Sequence, residues 1–455
     1  MPEWHLMDYQ TGQVVEFTAG DVAHGGWCVA RPAGGPVVFV RHALPGERVL
    51  ARITEVTTRF ARAEAIEILA ASPDRVTPPC PHARPGGCGG CDWQHAVLPA
   101  QRSLKAAVIR QQLRRMAGMD REITVEPLPG DQDTNQSLAT EATPRCGAGL
   151  GWRTRVQFAV RDDGVAGLRA HRSHRVIDVG ECLIAHPSIT DLGLTGRRWP
   201  GEASVEALVA TGSGERAVIV SPGRSAATAT EQITADAVLR RAGHRLTPVR
   251  GRGYLTQHAA GRDWRVSAGA FWQVHPAAAD ALTAAVLAAL EPRPGDTALD
   301  LYCGVGLFAG TLASAVGPGG TVIGVEADHA AVRDARHNLR AYPGVRVHRG
   351  DVADVLARGG LPPARLVVAD PPRSGLAREV IDYVSTAGNG VDRLAYVSCD
   401  PATLARDIGL LVGRGWVLDG LRGFDAFPMT HHVECVATLS AAGVTGQAGG
   451  PGSRR

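Results

Sequence analysis

The chain is almost without lysine: of its 48 basic residues only Lys105 is one, and the rest are arginine. Together with 55 glycines, this reads as the codon bias of a GC-rich genome. Arginine nevertheless grips phosphate through paired hydrogen bonds. Charge of one sign is scarce too, since a net charge of +3 neither demands nor excludes a nucleic-acid partner. No run approaches the roughly 18 apolar residues that cross a bilayer, which excludes a membrane-spanning helix. The opening MPEWHLMDYQ has no basic start leading into an apolar stretch, so no secretory leader is expected. A cytoplasmic protein is the expectation. Disorder is excluded as well, because 44% of the residues are hydrophobic and 20% charged. A length of 455 residues suggests roughly three domains at about 150 residues each.

Residues 11–68 alternate apolar and polar positions in short runs broken by glycine and proline, which predicts five or so strands and a compact β-barrel. Its arginines, Arg31, Arg41, Arg48, Arg52, Arg59 and Arg62, would leave that barrel basic. Residues 73–95 have no sustained period and need something other than a core to hold them. An amphipathic helix is predicted over about 96–118, a flexible insertion over 130–149, and then a hairpin-rich β pattern with turns at Asp163-Gly164 and around Ser173. Residues 203–270 read as mixed strands and helix. From about residue 295 strands and helices alternate, which predicts a doubly wound parallel sheet whose ligands lie at the carboxyl ends of its strands. Cys303, Glu326, Asp351, Asp370 and Cys399 all fall at such ends. The last fifteen residues or so read as a disordered tail.

Three motifs on that sheet carry chemistry. Gly304, Gly306 and Ala309 satisfy G-x-G-x-x-A after a strand, and Glu326 follows at the distance that suits ribose hydroxyls. Either NAD or S-adenosylmethionine meets that description. Asp370-Pro371-Pro372-Arg373 is a stiffened acid loop suited to holding a planar base. Ser398-Cys399-Asp400-Pro401 puts a thiol just before a helix N-terminus, where the dipole favours thiolate.

The nine cysteines do not form a disulfide scaffold in a reducing compartment. Cys80, Cys88 and Cys91 cluster, whereas Cys28, Cys146, Cys182, Cys303, Cys399 and Cys435 lie apart. Cys88-Gly-Gly-Cys91 lets two sulfurs face one metal centre, and Cys80 is close enough to join them. There is no second C-x-x-C pair, so a fourth ligand must be remote. Zinc and an iron–sulfur cluster both take four thiolates. His82 and His95 read as exposed loop residues rather than ligands, and Cys303 and Cys435 as packing residues.

Asp370-Pro-Pro-Arg373, Ser398-Cys399-Asp400-Pro401 and His432-Val433-Glu434-Cys435-Val436, in this order, resemble the bacterial RNA uracil-5-methyltransferases. Phe271-Trp-Gln273-Val-His-Pro276 resembles that family's segment before the cofactor domain, and the N-terminal barrel resembles its small OB-like RNA-binding domain, called TRAM. The resemblance implies that Cys399 is the nucleophile, Glu434 the base, and Asp370 a residue lining both cofactor and target base. It further implies that Gln273, Tyr302, Glu326 and Asp351 contact S-adenosylmethionine. Leu307 departs from the asparagine that many members place after the glycine turn. A [4Fe–4S] cluster is implied on Cys80, Cys88, Cys91 and Cys182, although the family spacing Cys-x5-Cys is seven residues here. Cys182 matches the remote ligand better than Cys146.

The resulting expectation is a multidomain α/β protein: a TRAM barrel over 1–70, a central α+β iron–sulfur domain over 73–265, a class I methyltransferase sheet over 266–440 and a tail over 441–455. The helix at 96–118 would pack on the catalytic domain. A monomeric enzyme methylating uridine C5 in RNA, ribosomal by analogy, is expected. The rivals are a cytosine-C5 or other RNA methyltransferase, an RNA-binding protein with a vestigial site, and an NAD-dependent reductase.

Overall fold

The structure is a computed structural model that describes residues 9–32, 35–131, 148–223 and 232–443. Contacts divide the chain into two compact units that are discontinuous in sequence. One comprises the described parts of 1–111, 121–281 and 423–434; the other comprises 112–120, 282–422 and those from 435 onward.

The first unit opens with six strands, β1 (Val14–Thr18), β2 (Val22–Ala23), β3 (Trp27–Ala30), β4 (Val37–Arg41), β5 (Arg48–Val56) and β6 (Phe60–Ala70). They form one sheet in the order β1-β5-β6-β4-β3-β2. Alternation fixes its inner face: Val49, Ala51 and Ile53 of β5 meet Ala61 and Ala63 of β6, Val38 and Val40 of β4, and Phe17 of β1 in a single core. The arginines do not leave it basic as expected. Arg41 is buried against Asp92 and Glu64, Arg48 pairs with Glu16 and Arg62 with Glu55. Carboxylates on neighbouring strands neutralise half of the set.

Helix α1 (Leu98–Gln112) follows and ends in a wider turn over Leu113–Ala117, closed by Gly118 at φ 64°. That turn belongs to the second unit, where it packs on α8 (Pro401–Val412). After β7 (Val125–Pro127) come β8 (Arg155–Val160), β9 (Ala166–Arg169), β10 (Val176–Ile177) and the short α2 (Pro187–Thr190). Next come β11 (Glu202–Val209), β12 (Arg216–Pro222), β13 (Ala237–Ala242) and β14 (Arg245–Arg250), which complete a sheet of order β10-β9-β8-β11-β12-β13-β14. The hairpin β15 (Tyr254–Ala259) and β16 (Arg262–Ser267) stands apart from it. The turn at Asp163-Gly164 forms where predicted, with Gly164 at φ 82° and Asp163 accepting the Val165 N–H. The helix expected within 203–270 is absent among the described residues. The run AVIVSP is rich in β-branched residues, and it pairs side by side with AVLRRA across β12 and β13.

The second unit is the doubly wound sheet. After α3 (Ala278–Leu290), β17 (Thr297–Leu301), α4 (Leu307–Val316), β18 (Thr321–Glu326), α5 (His329–Asn338), β19 (Val345–Arg349), α6 (Val352–Arg358), β20 (Leu366–Ala369), α7 (Arg378–Val384) and β21 (Arg393–Ser398) alternate. Then α8, β22 (Trp416–Asp425) and β23 (Glu434–Ala441) follow. The order β19-β18-β17-β20-β21-β23-β22 reverses between β17 and β20, and such a reversal opens a crevice at the strands' carboxyl ends. β17 to β21 run parallel, and β23 enters antiparallel to β21. The central strands β17, β18, β20 and β21 are buried on both faces, Leu366–Ala369 completely.

Candidate functional site

Five candidate residues lie at carboxyl ends of the parallel strands. Tyr302, just past β17, has a left-handed backbone at φ 68°, uncommon for a side chain of this size. Gly304 and Gly306 follow at φ 53° and 92°. At φ 92° Gly306 has a backbone that side chains rarely adopt, and a Cβ there would also press Leu339 Cδ1 at 2.8 Å, so the position favours glycine. The Gly304 N–H donates to Glu326 at 2.9 Å, and the Asp328 N–H donates to its other oxygen at 2.7 Å. The acid ending β18 is thereby tied to the turn ending β17. Asp300 beneath them accepts the Ala309 N–H at 2.7 Å. Burial pushes its carboxyl up to about 8, and the charges of Asp370 and Glu326 add to the rise. Asp351 caps α6 by accepting from Ala353 and Asp354. It shares with Tyr302, Pro372 and Leu376 a cavity of about 590 Å³.

Asp370 follows β20, and burial pushes its carboxyl up to about 7. The stiff loop after it is anchored by Asp407 of α8, which accepts the Leu376 N–H at 2.8 Å and the Tyr396 hydroxyl at 2.8 Å. Gly375, at φ 82°, lies so close to that carboxylate that a Cβ would collide with it. Cys399 follows β21 one residue before Asp400, whose side chain accepts from the N–H groups of Ala402 and Thr403 at 3.0 and 2.9 Å. The first amides of α8 are therefore already partnered, and the dipole read from the sequence is shared with a carboxylate next to the thiol. Cys303 and Cys435 are buried, as packing residues should be.

Glu434 and Gln273 belong to the first unit and are both buried. Gln273 lies in a segment pinned by its neighbours. Val274 O accepts both the N–H and the hydroxyl of Thr154 at 2.9 Å, and His275 Nε2 meets Asp131 at 2.9 Å. Glu434 opens β23 at the end of a strap, residues 425–433. In the second unit the next residue, Cys435, pairs with Ser398 on β21. The paired residues are thus chain neighbours of Glu434 and of Cys399.

The cysteine set converges. Cys80, Cys88, Cys91 and Cys182 line one cavity of about 360 Å³. Its wall includes Gly89, where a Cβ would lie 2.6 Å from His171 backbone, so the chain can approach only as glycine. The long gap before Cys88 folds into nested turns, with Gly87 donating to Arg84 O and Cys88 to His82 O at 2.9 Å. Burial pushes the Cys182 thiol up to about 11 and Cys91 well above its ordinary value, and the other cysteines of the set raise both further. Among the described residues no three His, Cys, Asp or Glu side chains converge on a single ion. Cys146 lies outside the described residues. His95 is not the exposed loop residue expected but buried, because the chain from Asp92 to Ala96 runs through a core built on Trp93.

A further group escaped sequence reasoning. Lys105, 1% exposed, forms an ion pair with Asp425 and donates to Phe427 O at 3.0 Å. Gln101, also on α1, accepts the Met429 N–H at 2.8 Å. Met429 O accepts from both Asp92 and Trp93, and Asp92 binds His431 through its N–H at 3.1 Å and Nδ1 at 2.6 Å. The one available signal was composition: the chain's single lysine sits where a compact cation is enclosed.

Comparison with known proteins agrees with this geometry. The model of tRNA (uracil-5-)-methyltransferases matches residues 364–442 and that of the TRAM domain residues 9–66. A model of protein-L-isoaspartate(D-aspartate) O-methyltransferases matches 254–354 and ends before Asp370, Cys399 and Glu434. An uncharacterised RNA methyltransferase of Streptomyces coelicolor is 50% identical over 95% of this chain and 93% of its own. The 23S rRNA (uracil(1939)-C(5))-methyltransferase of Halomonas elongata is 32% identical over 93% of this chain and 89% of its own. The crystal structure of Pyrococcus abyssi tRNA (uracil-54, C5)-methyltransferase with S-adenosyl-L-homocysteine shares the fold, with a TM-score of 0.68 at 21% identity over 93% of this chain and all of that one. With a barrel, a switch-point crevice and these motifs in order, the chain belongs to the family of S-adenosylmethionine-dependent RNA uracil-5-methyltransferases.

Proposed function

We propose that the protein methylates carbon 5 of a uridine in ribosomal RNA through a covalent adduct, with Cys399 as nucleophile and Glu434 as base. The observation that carries this reading is the ladder pair Ser398–Cys435, whose chain neighbours are the thiol and the carboxylate. Carbon 5 of uracil is too weak a nucleophile to take a methyl group unaided. Addition of the Cys399 thiolate at carbon 6 makes an enolate whose carbon 5 attacks the sulfonium methyl, releasing S-adenosylhomocysteine. Glu434 then removes the carbon-5 proton, and elimination frees the thiolate. The uridine must leave its stack to reach Cys399. Asp370, with a carboxyl near 7, can donate to or accept from the edge of the base. Glu326 and Asp351 would take the cofactor's ribose and adenine, and Tyr302 and Gln273 would each add a contact to it. The ribosomal target rests on the name of the Halomonas relative.

The thiols Cys80, Cys88, Cys91 and Cys182 suit a [4Fe–4S] cluster. Zinc would draw its four sulfurs to about 2.3 Å from one point, whereas these four surround a cavity. A bound cluster would staple 80–91 to Cys182 and offset the repulsion among thiolates. Anaerobically purified protein should carry about four irons per chain, kept by Cys146→Ala and lost by Cys182→Ala. Stoichiometric zinc without iron would overturn this assignment.

The test of the main reading follows from the order of steps. Cys399→Ala should neither methylate RNA nor cross-link to it. Glu434→Gln should transfer the methyl group and stall as a slow, RNase-sensitive band on a denaturing gel. A 5-fluorouridine substrate should trap the unmutated enzyme in the same way. Normal turnover by Glu434→Gln, or 5-methylcytidine as the product, would overturn the proposal.

A further inference from the structure

The strap 425–433 that delivers Glu434 into β23 has a buried residue, Met429, with a left-handed backbone at φ 67°. A side chain in that conformation persists only where its surroundings hold it. Two segments do so. One is α1, through Lys105 on Asp425 and Phe427 O and through Gln101 on the Met429 N–H. The other is Asp92-Trp93, whose two amides both donate to Met429 O, at 2.9 and 3.0 Å. Asp92 also holds His431, three residues before Glu434, by two hydrogen bonds. Its remaining oxygen meets Arg41 at 3.2 Å, and the same Arg41 nitrogen donates to Cys91 O at 3.0 Å. Asp92 directly follows Cys91. Gln94 completes the link by donating to the Cys91 sulfur at 3.1 Å while accepting from the Cys80 N–H.

We infer that Asp92 is a positioning residue for Glu434, and that the turn Cys91-Asp92-Trp93 couples occupancy of the four-thiol site to the placement of that base. This rests on the roles proposed above for Glu434 and for the four thiols. An occupied site fixes Cys91; Cys91 fixes the amides of Asp92 and Trp93; these fix the strap. An emptied site frees the turn, and the strap loses four of its hydrogen bonds together.

Two measurements test this. The first is amide hydrogen exchange on the full unmutated chain, before and after the metal is stripped by an oxidant and chelator. Amides of 429–434 should exchange at least tenfold faster after stripping, with β5 and β20 unchanged. Unchanged exchange at 429–434, or an equal rise everywhere, overturns the inference while leaving the cysteine assignment intact. Protein that never carries iron sinks both. The second uses Asp92→Asn, which keeps the shape of the side chain. Adduct formation with 5-fluorouridine RNA should stay within about twofold of the unmutated rate, while release of methylated uridine RNA slows at least tenfold and the covalent intermediate accumulates. Equal loss in both steps would mark Asp92 as a scaffold residue and refute its positioning role.

Discussion

The crevice of the parallel sheet and the four-thiol cavity reach their arrangements by opposite routes. At the crevice each candidate side chain is placed by a local rule: it lies at the carboxyl end of a parallel strand or within two residues beyond it. Tyr302, Glu326, Asp351, Asp370 and Cys399 all follow that rule, and the strand order brings the ends together. At the cavity no element does the placing. Cys80, Cys88 and Cys91 sit in turns, Cys182 arrives from a distant loop, and isolated bridges such as Cys88 opposite Ala170 replace strands. One site follows from topology, whereas the other depends on particular long-range bonds. Substitutions should therefore hurt it in different ways.

The largest effect should come from breaking the enclosed pair on the strap. Lys105→Met leaves Asp425 charged and buried without a partner, which costs about 3–5 kcal/mol of stability. Chemical denaturation would measure this, and adding Asp425→Leu should restore much of the loss. If the single substitution costs under about 1 kcal/mol, the strap is not held as described.

Next comes the crevice, where topology should survive the loss of one side chain. Glu326→Ala should fold and yet bind S-adenosylmethionine about 1.5–3 kcal/mol more weakly, the usual range for hydrogen bonds to a charged group. Calorimetric titration reads that directly. NAD should produce no thermal shift in the unmutated protein, and stabilisation by NAD alone would contradict the family chemistry.

A third effect depends on pH. Asp300 and Asp370 have folded-state carboxyls raised to about 8 and about 7, so each holds its proton longer in the folded protein than in the unfolded chain. Burial lowers the imidazoles of His42, His95 and His171, which acts in the opposite sense below about pH 6.5. Between about pH 6.5 and 8, where the histidines no longer titrate in either state, stability should accordingly fall as pH rises, by at most about 1.4 kcal/mol per unit for each carboxyl. Asp300→Asn should flatten the fall in melting temperature. A profile above about pH 6.5 that rises with pH and ignores that substitution would mean that Asp300 is ionised throughout.

The smallest effect belongs to the barrel surface. Arg48 and Glu16 form an exposed pair, and Arg48→Ala should change stability by under about 1 kcal/mol. A larger loss would mean that the barrel's outer face does more than meet solvent.

The same contrast governs what could be read from the sequence. The catalytic sheet was legible because period, strand ends and motifs coincide within a few residues of one another; TALDLYC predicts both β17 and the Tyr302 turn. The barrel was legible in its alternation but not in its charge, since the partners of Arg41 lie on β6 and at Asp92, fifty-one residues away. His95 misled for a related reason: proline, glycine and cysteine around it signal a loop, and nothing local says that Trp93 draws that loop inside. The ties from Gln101 to Met429 and from Lys105 to Asp425 span 328 and 320 residues. No periodicity crosses such distances. The helix expected within 203–270 failed because mixed apolar runs of strand length do not distinguish the two structures.

A single enclosed lysine also makes the molecule its own reporter. Lys105 carries the chain's one ε-amine, at the middle of α1 and closed off from solvent. A protease that cuts after lysine has one place to act, and a side-chain amine reagent has one target. Neither can reach it until α1 separates from Asp425 and Phe427. The rate of that single cut, giving two fragments of unequal length, times how often the helix and strap part in an otherwise unlabelled protein.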